Sequence, residues 1–314
     1  MQANTRRRWS VALATIIVVA AAAGLVRVLS ANWTEVRRAV RAADWALLAA
    51  GLLAAMLAMA LVAQRWHATL RTLGAQASLP DAVRWFMTGQ MGKYAPGGVL
   101  QVVGQGELAA RGGVARRAAY ASVILSTVVL VGGAALVVAG GAVLPSTTTP
   151  WWAVGIGAAI CAVFLEPHLR RTLLTKAGVH ESSGGLAPRR LVGLVLGGVP
   201  AWLAVGAATW LVARAFSPQI GIAPIVVAAV ASWLVGIVTL PAPGGIGVRE
   251  AVLAAALRDD LGSGTAALVA LTARMVFLAA DLGWFLLARF LPVAHPAAEA
   301  APDPALLTEG EPQP

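Results

Sequence analysis

Cysteine is nearly missing from this chain. The single residue, Cys161, sits in an apolar run, so no disulfide framework or thiolate metal site is available and the thiol reads as a small buried packing group. Charge is also scarce, with 12% of residues charged, 59% hydrophobic and a mean hydropathy of +0.76. Soluble domains carry roughly 25% charged residues, so a soluble fold is excluded. Four histidines, His67, His168, His180 and His295, are scattered at spacings that suit no metal site. No nucleophile stands near a plausible base. Gly104-Gln105-Gly106 with Gly112 lacks the strand-turn-helix context of a dinucleotide fingerprint. Asp259-Asp260 reads as a solvated helix end. No catalytic residue, metal or cofactor is expected, and the chain is not expected to be an enzyme.

What the sequence has is long apolar runs, of the length that matches a hydrocarbon core about 30 Å thick. Seven spans are expected, at residues 10–29, 45–63, within 118–144, and at 151–165, 191–213, 222–240 and 265–290. The first, behind Arg6, Arg7 and Arg8, is longer than a signal-peptide core and reads as an uncleaved helix. Trp151 and Trp152 read as interfacial anchors of the fourth. Two further segments, 81–112 and 241–260, are moderately apolar and interrupted by proline and glycine. Non-helical backbone at membrane depth must be satisfied by protein or a watered cavity, so each reads as a re-entrant hairpin or a broken helix. The expected fold is all-α: a polytopic membrane protein of seven to nine segments, two of them Pro-Gly-Gly-interrupted or re-entrant. Residues 1–290 form the membrane-embedded domain. Residues 291–314, with Glu299, Asp303, Glu309 and Glu311 and no Lys or Arg, read as an acidic, Pro-rich disordered tail.

The formal net charge of +10 comes from arginines and lysines clustered between apolar runs, the pattern of loops facing anionic lipid rather than nucleic acid. Loop 145–150 is uncharged and is expected outside. Segment 64–117 carries Arg65, Arg71, Arg84, Lys93, Arg111, Arg116 and Arg117; segment 170–190 carries Arg170, Arg171, Lys176, Arg189 and Arg190. Both are expected in the cytoplasm, together with the N-terminus. Residues 30–44 conflict with this orientation, because they would lie outside while holding Arg37, Arg38 and Arg41.

The two interrupted segments share a unit. Lys93-Tyr94-Ala95-Pro96-Gly97-Gly98-Val99 occurs in one, and Pro241-Ala242-Pro243-Gly244-Gly245-Ile246-Gly247-Val248-Arg249-Glu250 in the other. Paired, Gly/Pro-interrupted segments in the two halves of a transporter point to its binding site. Proline ends regular hydrogen bonding and glycine lets backbone approach a ligand, so the following helix offers N–H groups to an anion. Pro-Gly-Gly is also an ordinary tight turn between closely packed helices. Glu107, Arg249 and Glu250 follow these units in apolar surroundings, where a charge is costly unless paired or hydrated. Glu250 also suits the first turn of the helix expected over 248–257. Arg274 and Asp281 in the last span are two helical turns apart on one face. They either line an interior path or form structural ion pairs with Glu107 or Arg249.

These two signatures resemble those of the lysylphosphatidylglycerol synthase transmembrane (flippase-like) family, over about residues 8–291. The resemblance implies translocation of an anionic or aminoacylated phospholipid or lipid-linked head group by a stand-alone membrane member. Full-length synthases of this family add a soluble aminoacyl-transfer domain, and only 24 residues follow the last span here. The site expected on this basis comprises Lys93, Tyr94, Pro96, Gly97, Gly98, Glu107, Pro243, Gly244, Gly245, Gly247, Arg249, Glu250, Arg274 and Asp281. The cations would attract phosphate, while the carboxylates balance the cavity or pair a cationic head group. The alternatives are a membrane lipid-modifying enzyme and a small-solute or ion-coupled transporter. Expected partners are the membrane lipid substrate, anionic lipid at the cytoplasmic face of the plasma membrane, and a second copy of the chain or a lipid-synthesis enzyme. No nucleic-acid partner is expected.

Overall fold

The computed structural model of the chain describes residues 23–94, 99–141, 166, 188–238, 245 and 247–292. The expected span 151–165 and the acidic tail beyond residue 292 lie outside these residues, as does most of the expected first span. Helical residues 23–31 lead into α1 (Trp33–Arg41), followed by α2 (Trp45–Thr72), α3 (Leu79–Gln90), a short 3-10 turn (Met91–Tyr94), α4 (Val99–Arg111) and α5 (Arg116–Gly141). After the undescribed stretch come α6 (Pro188–Leu196), α7 (Val199–Phe216), α8 (Ile222–Val238), α9 (Val248–Ala256), α10 (Arg258–Leu261) and α11 (Ser263–Leu287). No strand occurs among the described residues.

Four helical stretches are long and apolar enough to cross a membrane: Trp45–Thr72, Arg116–Gly141, Arg189–Phe216 and Ser263–Phe290. They match four of the seven expected spans. Within the expected span at 222–240 the described residues form a shorter apolar helix, Ile222–Ile237. The described residues thus supply four candidate spans and one shorter apolar helix.

Local chemistry explains where these helices start. Asp44 caps α2, accepting from the N–H groups of Ala46 and Leu47 at 2.9 and 3.1 Å. Ser78 caps α3, with Pro80 in the first turn where a missing N–H costs nothing. At α11 the cap comes from elsewhere in the chain: Glu35 of α1 accepts from both the backbone N–H and the hydroxyl of Thr265, at 2.8 and 2.7 Å. The basic stretch that conflicted with the expected orientation is therefore a helix docked on the start of α11, with Val36 buried and Arg37, Arg38 and Arg41 exposed.

Small residues let the long helices pack closely. Gly51 of α2 faces Ala208 and Val212 of α7, and a β-carbon there would lie 3.3 Å from Val212. Indoles lock the bundle together by donating across helices. Trp66 reaches the Ser122 hydroxyl at 3.0 Å, Trp202 the Leu130 carbonyl at 2.8 Å and Trp284 the Met56 carbonyl at 2.8 Å.

Helix directions reveal an internal repeat. In α2 and α7, Asp44 meets Ala215, Gly51 meets Ala208, and Arg65 meets Gly197, so the pair is antiparallel. In α3 and α4, Gly92 meets Leu100, Gly89 meets Gln105, and Gly112 meets Trp85, so these also run antiparallel. This hairpin starts where α2 ends and finishes where α5 begins, so both arms open at one end of the bundle. That end holds Arg71, Arg84, Arg111, Arg116, Arg117 and Arg289 and is called the basic end. The second hairpin is inverted. α8 leaves the opposite end, antiparallel to α7 through Val226 beside Gly206 and Trp233 beside Trp202, and α9 returns there. Each half is thus a long helix, a broken hairpin and a second long helix: α2, α3–α4, α5, then α7, α8–α9, α11, with the opposite sense.

Candidate functional site

The turn Met91–Tyr94 and the start of α9 both meet α11 inside the bundle. The turn Met91–Tyr94 closes the first hairpin because α3 runs only 12 residues, about 18 Å, before it stops. It brings Lys93 and Tyr94 to one carboxylate: Lys93 Nζ lies 2.6 Å from Asp281 Oδ2, and the Tyr94 hydroxyl donates to the same oxygen at 2.5 Å. Asp281 is 3% exposed, and its Oδ1 has no hydrogen-bond partner among the described residues.

Seven residues earlier on α11, Arg274 lies on the same face as Asp281, as helical spacing requires. Its Nε is 3.6 Å from Glu250 Oε1, and its guanidinium carbon is 5.7 Å from the centre of the Tyr94 ring. Arg274 therefore pairs with Glu250 and Asp281 with Lys93, rather than with Glu107 or Arg249.

Glu250 has a second task. Its Oε2 accepts the Gly247 N–H at 2.6 Å, closing the start of α9 with the chain's own carboxylate. The helix start expected to offer its N–H groups to an anion is in this respect already occupied. Gly247, at φ 85°, adopts a conformation that suits glycine.

Arg249 is placed differently. Its guanidinium carbon lies 3.3 Å from the centre of the Trp233 ring on α8, a stacked cation–π contact. Glycines make room for its stem. A β-carbon on Gly245, at φ 66°, would come within 2.9 Å of Arg249 Cδ and 3.0 Å of Gly236 Cα, and one on Gly236 would run into the same side chain. The second glycine of that Pro-Gly-Gly unit thus makes room for the arginine's stem. Trp233 is itself held edge-on between Trp202, at 5.9 Å, and Phe277, at 5.4 Å.

Beside the two arginines, toward the end opposite the basic one, a narrow, partly open cleft lies between α7, α8, α9 and α11. Thr209, Ser232, Trp233, Arg249, Glu250 and Arg274 give it polar and aromatic walls, and Leu253 and Phe277 apolar ones.

A sequence model of the family described as lysylphosphatidylglycerol synthase TM region matches residues 10–283. The chain belongs to this family. No curated protein matches it as a relative. The match runs through both hairpins and through Arg274 and Asp281, so the charged cluster lies inside the family's own region.

Of the expected site residues, Lys93, Tyr94, Gly245, Gly247, Arg249, Glu250, Arg274 and Asp281 come together. Pro96, Gly97, Gly98, Pro243 and Gly244 lie outside the described residues. Glu107 is elsewhere: two turns into α4, it faces the basic end, 2.7 Å from Arg116 and 3.4 Å from Arg111. Trp233, Gly236, Thr209 and Ser232 belong to the site and were missed. Only Trp233 carried a usable sign, as a large aromatic in an apolar run just before the second break.

Proposed function

We propose that the chain is a lipid flippase of the plasma membrane, moving an anionic or aminoacylated phospholipid or lipid-linked head group between leaflets without altering it chemically. The observation that carries this reading is the inverted pair of broken hairpins, with charged side chains at both tips and on the helix between them. In transporters built from inverted repeats, substrate sites lie at the repeat interface near the bilayer midplane, framed by discontinuous helices. Under this reading α3–α4 is a re-entrant hairpin from the cytoplasm and α8–α9 one from the other side. The basic end faces the cytoplasm by the positive-inside rule, and the N-terminus lies there too. Buried charges at that depth are costly and mark a substrate path. The head group passes through the charged centre, while the acyl chains stay in lipid between helices.

The test is reconstitution of the full chain in liposomes containing fluorescent phospholipids, with a membrane-impermeant quencher reporting the exposed fraction over time. A protein-dependent rise in quenched lipid, with unchanged lipid by mass spectrometry, is the expected result. Chemical conversion of the lipid would favour an enzyme, and no movement of any phospholipid would sink the flippase reading.

A further inference from the structure

Helix α1 docks at the end opposite the basic one, yet it carries Arg37, Arg38 and Arg41, all exposed. Both of its ends are tied to the ends of long apolar helices. Glu35, in its first turn, caps the start of α11 at Thr265. Asp44, just beyond its last turn, caps α2, and the Asp44 N–H donates to the Ala215 carbonyl at the end of α7 at 3.0 Å. A helix fastened at both ends to the rims of crossing helices lies along the bilayer surface, at the level where head groups begin.

Around this helix the chemistry changes in order. Val36, 5% exposed, faces the bundle. Trp33 and Val40 come next, about 20° apart in helical projection, yet they are 61% and 42% exposed. Arg37 and Arg41 follow, about 40° and 80° beyond Trp33, with Arg38 farthest from the bundle. Apolar side chains beside the bundle with arginines directly next to them are the arrangement of a helix lying in the lipid–water interface. Tryptophan and valine then enter the acyl boundary while the guanidiniums stay among head groups. Arg37 and Arg41 are one turn apart, about 5–6 Å between β-carbons, so both can donate to one phosphate. Nearby acids do not neutralise them: Glu35 and Asp44 are spent as caps, and no ion pair among the described residues includes Arg37, Arg38 or Arg41.

We infer that α1 is an interfacial site for anionic phospholipid, in the leaflet at the end opposite the basic one, with Arg37 and Arg41 on the phosphate and Trp33 and Val40 against the upper acyl chain. The inference needs only that the chain crosses a membrane, and it holds whether or not the protein moves lipid. A lipid fits better than a soluble anion, because free phosphate would leave Trp33 and Val40 bare to water. An anionic lipid fits better than a zwitterionic one, because a choline group would bring a further cation beside three arginines. Lipid held here also keeps α1 against the start of α11, the helix that carries Arg274 and Asp281.

Photo-crosslinking reads this site apart from any other. Purified full-length protein is reconstituted in phosphatidylcholine liposomes doped with phosphatidylglycerol or phosphatidylcholine that bears a photoreactive group high on one acyl chain, and adducts are mapped by mass spectrometry. Phosphatidylglycerol should label residues 33–41 about tenfold or more above phosphatidylcholine, since each arginine near an anionic surface contributes roughly fivefold. On α2, where Leu53 and Leu57 are exposed, the two probes should label alike. The double variant Arg37→Gln, Arg41→Gln should bring the two probes to parity on α1 and leave labelling of α2 unchanged. Trp33→Ser should lower labelling of α1 by both. Equal labelling of α1 by the two probes in the unaltered protein, or a preference that survives the double substitution, overturns the inference. So does an absence of adducts on α1, which would leave the helix facing water or a protein partner. Loss of the adducts on adding inorganic phosphate at the concentration of the lipid would make this a site for a soluble anion, which also overturns it. Should the double variant aggregate, the two probes and the phosphate challenge on the unaltered protein still decide.

Discussion

At the scale of single residues, Gly245 and Arg249 act as a unit, and their substitution should separate shape from charge. Valine at position 245 must adopt φ near 66° and push a branched side chain against Arg249 and Gly236. Gly245→Val should therefore lower stability by about 1–3 kcal/mol through backbone strain, read as a fall in the thermal midpoint in detergent. Gly140→Ala is the control: a β-carbon there meets nothing within 4 Å, so the midpoint should hold or rise slightly. Glu250 makes the opposite case, since it both caps α9 and faces Arg274. Glu250→Ala should cost about 3 kcal/mol by stranding a buried cation, and Glu250→Gln less, because the amide oxygen still accepts the Gly247 N–H. Equal losses from both variants would show that the charge, not the cap, is what matters. The ionisable members of the site were legible in the sequence because a charge within an apolar run is conspicuous. Gly236 was not, since a glycine in a membrane helix is commonplace, and Trp233 was marked only by its place before the second break; the path of Arg249 gives both a role. Glu107 misled because distance along the chain was taken for proximity, when two turns of α4 carry it toward the basic end.

At the scale of elements, the broken hairpins explain why the spans were harder to read than the helices. Helix α8 has the apolar character of a crossing in sequence, and nothing in its composition says that α9 packs back beside it. That packing rests on contacts between distant residues, Gly236 against Gly245 and Leu253 against α11, which no window of sequence contains. The same holds for α1, which reads as a loop in sequence but docks as a helix on the start of α11, its arginines exposed at the end opposite the basic one. That docking is testable. Glu35 takes both hydrogen-bonding groups of Thr265 at the start of α11, where a carboxylate is favoured by the helix dipole. Glu35→Ala should cost about 1–2 kcal/mol, the usual loss of a helix cap, and should free the α1 region to digestion by added protease. Glu35→Gln should recover much of the stability, because a neutral acceptor still serves the cap while the charge is lost.

For the whole molecule, the inverted repeat makes a claim about sides that the long helices alone do not. Four helices that cross could surround hairpins opening either way, but the order of contacts has α3–α4 opening at the basic end and α8–α9 at the opposite end. Exposed positions flank both hairpins: Gln76 and Arg111 beside the first, Gln219 and Asp259 beside the second. After Cys161→Ala removes the native thiol, single cysteines at these four positions can be labelled in intact cells with an impermeant maleimide. Gln219→Cys and Asp259→Cys should react from outside, whereas Gln76→Cys and Arg111→Cys should react only after permeabilisation. The pairing carries the weight. If α3–α4 crossed the bilayer as two spans in sequence, Gln76 and Arg111 would still share a side, but a cysteine replacing Tyr94 between them would label freely from outside. A re-entrant tip at the charged centre predicts slow labelling of Tyr94→Cys from either side, slowed further by bound anionic lipid. Rapid labelling from outside alone would convert the first hairpin into a crossing pair, break the inverted repeat and remove the structural basis for a shared midplane site.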